Sequence, residues 1–289
     1  MTRTVTVGID GSPESLAAAN WAADEARLRG QPLLLVHVWT DGASPTAYDA
    51  DARNRQRSAE VLLHEASEQV RLRHPDVRVD VRLSSGPPVE ELSAAGDRSE
   101  LMVLGSRGLS TVRGFVVGSV SFAVLARARR PLVLVRADSD ESASASPAGE
   151  VVLGLDLPRA SREALAFASA CADRYGCGLR VVHSWSLPPV YGMGASDVVP
   201  TLMRETEKER RRELDAELAP WTAKYPGTPV TRQCCQGHPA QDLVEASSHA
   251  GLVVVGLRRR SSELGAHVGP VVHSVLHHAA APVAVVPHD

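Results

Sequence analysis

The strongest constraint on this chain is that it is written twice. Residues 5–39 align without a gap onto residues 151–185, and 12 of the 35 positions are identical. Residues 105–135 align onto residues 256–286, with 12 of 31 identical. The shared positions include Gly8/Gly154, Asp10/Asp156, Gly30/Gly176, His37/His183, Trp39/Trp185, Gly105/Gly256, Arg107/Arg258, Gly118/Gly269 and Pro131/Pro282. The offset grows from 146 to 151, so five extra residues fall between Trp185 and Gly237. So long a period excludes a solenoid. It describes a duplicated domain, and 289 residues suffice for two at roughly 150 residues each. The small, acidic, turn-rich stretch Ala137–Gly149 reads as the joint. The expected division is a first domain over 1–137, a linker over 138–149 and a second domain over 150–289.

Each copy alternates strand and helix. Val5–Asp10 is an apolar strand. Ser12 suits an N-cap, with Pro13 at the first helical position. Ala18, Ala22 and Ala26 recur on one helical face, and Gly30 ends that helix. Strands follow over 33–39, 77–83, 101–104 and 132–135, with helices over 51–73, 89–95 and about 118–128. Continuous apolar strands separated by helices predict an α/β fold, with a parallel sheet covered on both faces.

Composition narrows the chemistry. Apolar residues are 44%, charged residues 22% and the formal net charge is −3. That profile excludes wholesale disorder and gives no general field for nucleic acid or a membrane surface. Only Lys208 and Lys224 are lysines, so no lysine chemistry is available in the first half. The stretch 264–288 lacks Asp, Glu, Lys and Arg, but five histidines and three prolines argue against a membrane span. The start of the chain has no signal-peptide pattern, and Cys171, Cys177, Cys234 and Cys235 show no CxxC spacing. A reduced, cytoplasmic protein is the expectation.

The most informative segment is Gly105-Ser106-Arg107-Gly108, followed nine residues later by Gly118-Ser119. Gly105 ends a strand and Gly118-Ser119 opens a helix. A helix N-terminus offers N–H groups and a positive dipole end, and glycines let the backbone approach an anion. Ser119 and Ser121 add hydroxyls. Asp10 ends the first strand. If the first and fourth strands are neighbours where strand order reverses, Asp10 and Gly105 line one crevice, and the carboxylate suits a ribose or a base amine. The segment is neither a Walker A loop, which needs a lysine, nor G-x-G-x-x-G.

The G-x2-G-x9-G-S spacing, the Gly8-Ile9-Asp10 strand end and the Leu-Leu-Val-His-Val second strand resemble the ATP-binding subgroup of the universal stress protein family, in its tandem form. The resemblance implies two Rossmann-like, flavodoxin-like domains, each a five-stranded parallel sheet of order 3-2-1-4-5. It implies ATP as ligand, with Mg2+ or Mn2+ as companion ion. Carried over, Gly8 and Asp10 belong to the adenine and ribose end and Val38 lines the adenine pocket. Gly105, Ser106, Arg107 and Gly108 wrap ribose and phosphates; Gly118, Ser119, Val120 and Ser121 hold the phosphates. The second copy keeps Asp156, Gly256, Arg258 and Gly269, but Arg259 replaces the second glycine, Pro270 replaces the serine and Ser184 replaces Val38. An empty or altered second pocket is expected. The resemblance also implies pairing through the fifth strands, within the chain and in a homodimer.

Other candidates carry less. His273 and His277 could share one helical face and a metal, but they match Phe122 and Ala126 of the first copy; no metal site is expected. His37 and His183 read as core. Cys234-Cys235, matched to Ser84-Ser85, raises a redox role. Residues 204–217 read as an exposed helix of mixed charge with Glu207–Arg211 at i,i+4. The expected function is an ATP-binding regulatory protein of stress-response type that presents a nucleotide-dependent surface to a partner. The rivals are a slow ATPase or nucleotidyl transferase, and a nucleotide-independent dimeric scaffold. No catalytic constellation stands out.

Overall fold

The computed structural model describes residues 4–40, 49–106, 118–137, 149–186, 198–259 and 268–289. The first half runs β1 (Val5–Gly8), α1 (Pro13–Arg29), β2 (Leu33–Trp39), α2 (Asp49–Arg73), β3 (Val79–Ser85), α3 (Pro88–Asp97), β4 (Leu101–Gly105), α4 (Ser119–Ala126) and β5 (Leu132–Val135). The second half repeats the order: β6 (Glu150–Gly154), α5 (Arg162–Tyr175), β7 (Leu179–Trp185), α6 (Val198–Lys224), β8 (Val230–Gln236), α7 (Pro239–Ala246), β9 (Ala250–Arg258), α8 (Pro270–His278) and β10 (Val283–His288).

Local signals explain the helix ends. The Ser12 hydroxyl accepts from Ser15 N at 3.2 Å, and Pro13 occupies the first helical position. Gly30 and Gly176 close α1 and α5 in the left-handed conformation, at φ 62° and 64°. The same pair of bonds secures both ends: Gly30 N to Arg27 O with Gln31 N to Ala26 O, and Gly176 N to Asp173 O with Cys177 N to Ala172 O. These are Schellman closures, which glycine makes without strain.

The strands form one ten-stranded sheet, β3-β2-β1-β4-β5-β10-β9-β6-β7-β8. Neighbours are parallel within each half. The halves join where β5 meets β10 antiparallel, in register Leu132↔Val285, Val133↔Ala284 and Leu134↔Val283. Each half runs in the order implied by the resemblance, and the internal pairing of the fifth strands makes the two five-stranded sheets one continuous sheet. Both fifth-strand edges are occupied by each other, so a homodimer through those edges has no free strand to use. The outer edges are β3 and β8, which carry Asp80, Arg82 and Arg232.

Two apolar layers run the length of the sheet. One lies under α1, α2, α5 and α6 and includes Leu33, Leu35, Leu63, Leu165, Leu214 and Leu218. The other lies under α3, α4, α7 and α8 and includes Leu92, Leu104, Leu125, Leu243 and Leu276. Each contains residues of both halves, so burial crosses the joint on both faces.

Two sequence readings shift. Val38 stands beside Ser84 across β2–β3, and Ser184 stands beside Cys235 across β7–β8. Cys235 is thus the counterpart of Ser84, and Cys234 of Leu83; the matching of Cys234-Cys235 to Ser84-Ser85 was one residue out. In the second half, Gly256-Leu257-Arg258 continues β9 instead of opening a loop, pairing with Val286, Pro287 and His288.

Candidate functional site

β1 and β4 are hydrogen-bonded neighbours, and β2 lies on the far side of β1. Strand order reverses between β1 and β4, and the carboxyl ends of such a strand pair are where open α/β sheets take ligands. Asp10 follows β1 and is exposed. Its Oδ1 accepts from the Ser12 backbone N at 3.0 Å and from the Ser12 hydroxyl, while its own N–H donates to the Ser15 hydroxyl at 3.3 Å. This turn orients the carboxylate. His37 strengthens it from β2: Nδ1 donates to Ile9 O at 2.7 Å, and the Ile9 N–H donates to Val36 O. His183 makes the equivalent bond to Leu155 O at 2.9 Å. Both histidines therefore anchor the loop after the first strand of their half.

The glycines separate into two kinds. Gly8 is buried, and a Cβ there would meet Leu104 at 2.6 Å and Leu92 at 3.3 Å. A Cβ on Gly105 would strike the backbone of Glu14 at 2.7 Å and Ser15 N at 2.8 Å. Both are required by packing: Gly105 lets the end of β4 touch the first turn of α1. Gly118 differs. It is the N-cap of α4, with φ −56°, and makes no side-chain cap hydrogen bond. The N–H groups of Ser119, Val120 and Ser121 are those a helix leaves without an intrahelical acceptor. Ser119 and Val120 are exposed.

The serines also divide. Ser106 is buried, and its hydroxyl donates to Val135 O at 3.1 Å. Ser121 donates to Gly105 O at 2.9 Å, fastening α4 to the end of β4. Their hydroxyls are engaged with the sheet, leaving Ser119 as the outward hydroxyl of the three. Val38 is half-buried and packs on the α3 and α4 layer. Arg107 and Gly108 lie outside the described residues.

The second crevice is built differently. Asp156 is exposed and begins a 3-10 turn over Leu157–Arg159, and the cap of α5 is Ser161, which corresponds to Ser15 and not to Ser12. α5 thus lacks the first turn that packs on Gly105 in the first half. The His288 side chain fills that space, its Nε2 lying 3.0 Å from where a Gly256 Cβ would be. Gly269 caps α8, but Pro270 at its first position has no N–H to offer. Arg258 belongs to β9, and Arg259 N donates to His288 O.

The remaining candidates resolve as follows. His273 is exposed, its ring edge-on to Phe122 at 6.0 Å and 4.3 Å from the His277 ring. Among the described residues no three His, Cys, Asp or Glu side chains gather as metal ligands. Burial pushes the Cys234 and Cys235 thiols up, with Asp242 adding to the effect at Cys235, so neither is poised as a thiolate. Among the described residues no helix is long and apolar enough to cross a membrane.

The sequence reading missed a charged cluster buried between the halves. Glu25 pairs with Arg29 of its own helix and with Arg174 of α5 at 2.9 Å, and the Tyr175 hydroxyl donates to its other oxygen. Arg29 continues to Glu100 at 3.2 Å. The available signal was an acid and an arginine at 25 and 29, on the edge of the alanine stripe at 18, 22 and 26.

Comparison with known proteins agrees along the whole chain. The model of the universal stress protein family matches residues 1–136 and again 148–287. A universal stress protein of Mycobacterium tuberculosis is 32% identical over 295 residues, covering 97% of this chain and 96% of that protein. One of Mycolicibacterium smegmatis is 32% identical over 295 residues, covering 98% and 96%. In three dimensions the chain superimposes on a universal stress protein from Archaeoglobus fulgidus with a TM-score of 0.73, 20% identity and full coverage of both chains. That likeness establishes the shared fold.

Proposed function

The chain belongs to the universal stress protein family, and from that premise we propose that its first half holds ATP and presents a nucleotide-dependent surface to a protein partner. The observation that carries the reading is the α4 N-terminus, capped by Gly118 without a side chain and standing beyond the strand ends near the reversal point. Three backbone N–H groups and the helix dipole suit the phosphates. Asp10, braced by Ser12 and His37, suits ribose hydroxyls or the base amine. Val38 offers an apolar wall to adenine. By the resemblance, Ser106, Arg107, Gly108, Val120 and Ser121 complete the proposed first site, with Gly8 and Gly105 shaping its floor.

When bound, Mg2+ or Mn2+ would offset phosphate charge; Asp10 is the carboxylate assigned to the proposed first site. With no lysine in this half, backbone dipoles do most of the holding, which suits retention of ATP more than rapid turnover. The second half, with Asp156, Gly256, Arg258 and Gly269 in an altered setting, is proposed to be empty of nucleotide. The cytoplasm is its proposed location.

Calorimetric titration of the purified chain with ATP and Mg2+, alongside mass spectrometry of nucleotide released on denaturation, tests this. One ATP per chain is expected, with Asp10→Ala weakening affinity about tenfold, the equivalent of one good hydrogen bond. Absence of adenine nucleotide in both measurements would overturn the reading.

A further inference from the structure

The two halves are related by a pseudo-twofold axis through the β5–β10 pair. Equivalent residues meet across it: Phe122 touches its counterpart His273 on one face of the sheet. On the other face α1 lies against α5, and the Arg29 guanidinium sits 5.8 Å above the Phe167 ring. By the 146-residue offset, Glu25 corresponds to Cys171, Leu28 to Arg174 and Arg29 to Tyr175. The cluster around Glu25 is therefore one-sided. The first half brings the carboxyl group, which is 2% exposed. The second half brings two donors to it, Arg174 and the Tyr175 hydroxyl. At the position equivalent to Glu25 it brings a thiol, 3.8 Å from the same Arg174 nitrogen. Burial and the neighbouring Glu25 push that Cys171 thiol up to about 12, so it stays a neutral S–H.

We propose that this cluster is a pairing code: it lets a first-type half dock on a second-type half and rejects two halves of the same type. In a pairing of two first halves, Leu28 would stand where Arg174 donates, a second Arg29 where the Tyr175 hydroxyl donates, and a second Glu25 where Cys171 lies. Two Glu25–Arg29 pairs would share one dry axis, each carboxyl group without the Arg174 and Tyr175 donors that it has in the chain. In a pairing of two second halves, Arg174 and the Tyr175 hydroxyl would be buried with Cys171 in place of their acceptor. A buried pair gains little by existing, but removing one partner leaves an uncompensated charge. Discrimination therefore comes from the mismatched pairings, a device that sets specificity by making the wrong partner costly. The surface formed by α1 and β5 accordingly takes a second-type half, its own or that of another copy in a domain-swapped chain.

The test moves the acid across the axis in the full-length chain. Cys171→Glu gives each half a carboxyl group; Cys171→Gln adds the same bulk without charge. Cys171→Glu is expected to lower the melting temperature by about 5 °C or more relative to Cys171→Gln, because a second buried carboxyl group must share the arginines that Glu25 already holds. Glu25→Gln alone is expected to lower it too. In the Cys171→Glu background the same Glu25→Gln substitution is expected to raise it, because one acid per axis is restored. That reversal of sign is the signature of the code, since crowding by a larger side chain is not relieved by an isosteric amide. If Cys171→Glu yields no folded chain, recovery of folded, monodisperse protein in the double variant is the same result. Glu25→Gln lowering stability in both backgrounds, equal tolerance of Cys171→Glu and Cys171→Gln, or no recovery in the double variant would overturn the proposal.

Discussion

Gly105 shows how one residue can answer to two demands. It is one of the glycines proposed to border the nucleotide, yet the backbone of Glu14 and Ser15 lies where its Cβ would be. Neither neighbour is a flexible side-chain end, so a methyl group there forces the chain apart. Gly105→Ala is expected to cost about 1–3 kcal/mol, the range for overpacking a tight site, read as a lower urea midpoint with and without ATP. A loss seen only when ATP is present would assign the glycine to the ligand alone. Residue types were easy to read in the sequence; residue directions were not. Ser106 and Ser121 look like phosphate donors in the one-letter string, but their hydroxyls bond Val135 O and Gly105 O. Glu25 looks like an ordinary surface acid of α1, and its partners Arg174 and Tyr175 lie about 150 positions away. No local pattern joins residues that only the fold brings together.

At the scale of elements, α4 and α8 are a natural experiment. Both are short, both are capped by glycine, and they differ at the first helical residue, Ser119 against Pro270. Proline is well tolerated there, since that N–H has no partner within the helix. Ser119→Pro should therefore leave the melting temperature within a few degrees while weakening ATP binding about tenfold or more; Ser119→Ala, which keeps the N–H, should lose less. Equal affinities for the two variants in titration calorimetry would remove the backbone donor from the site. The elements themselves were legible because buried parallel strands are apolar runs and the helix ends carry Ser, Pro and Gly signals. Register in the middle of the second half was not. Between Trp185 and Gly237 the copies differ by five residues, and the only guides to the alignment are scattered identities such as Pro75/Pro226, Val79/Val230 and Gly86/Gly237, which set Cys235 opposite Ser84.

For the whole molecule, both apolar layers cross from one half to the other, and the strands at the joint are fully buried. Neither half can open without exposing apolar surface of its neighbour. Scanning calorimetry is expected to show one transition, with calorimetric and van't Hoff enthalpies in a ratio near 1. Two resolved transitions would mean that the halves unfold independently. The duplication was plain in the sequence; the joining of the two sheets through β5 and β10 is a long-range contact that no local pattern encodes, and it was legible only through the family resemblance.

That merger leaves the sheet with two ends, β3 and β8, the matching third strands of the two halves, separated by nine strand spacings or roughly 43 Å. Edge-to-edge contact between successive molecules would leave a bare end on each and would grow as a fibre. The end strands are marked against it. Arg78 and Asp80 pair beside β3 at 3.3 Å, Arg82 is exposed along it, and Arg232 on β8 is held by Asp215 at 2.6 Å. Charge on a bare edge is the usual guard against such growth. A chain that joined its two copies through their hydrophobic strands has thereby buried those edges and left outward two margins that carry Asp80, Arg82 and Arg232, and this works against polymerisation as concentration rises.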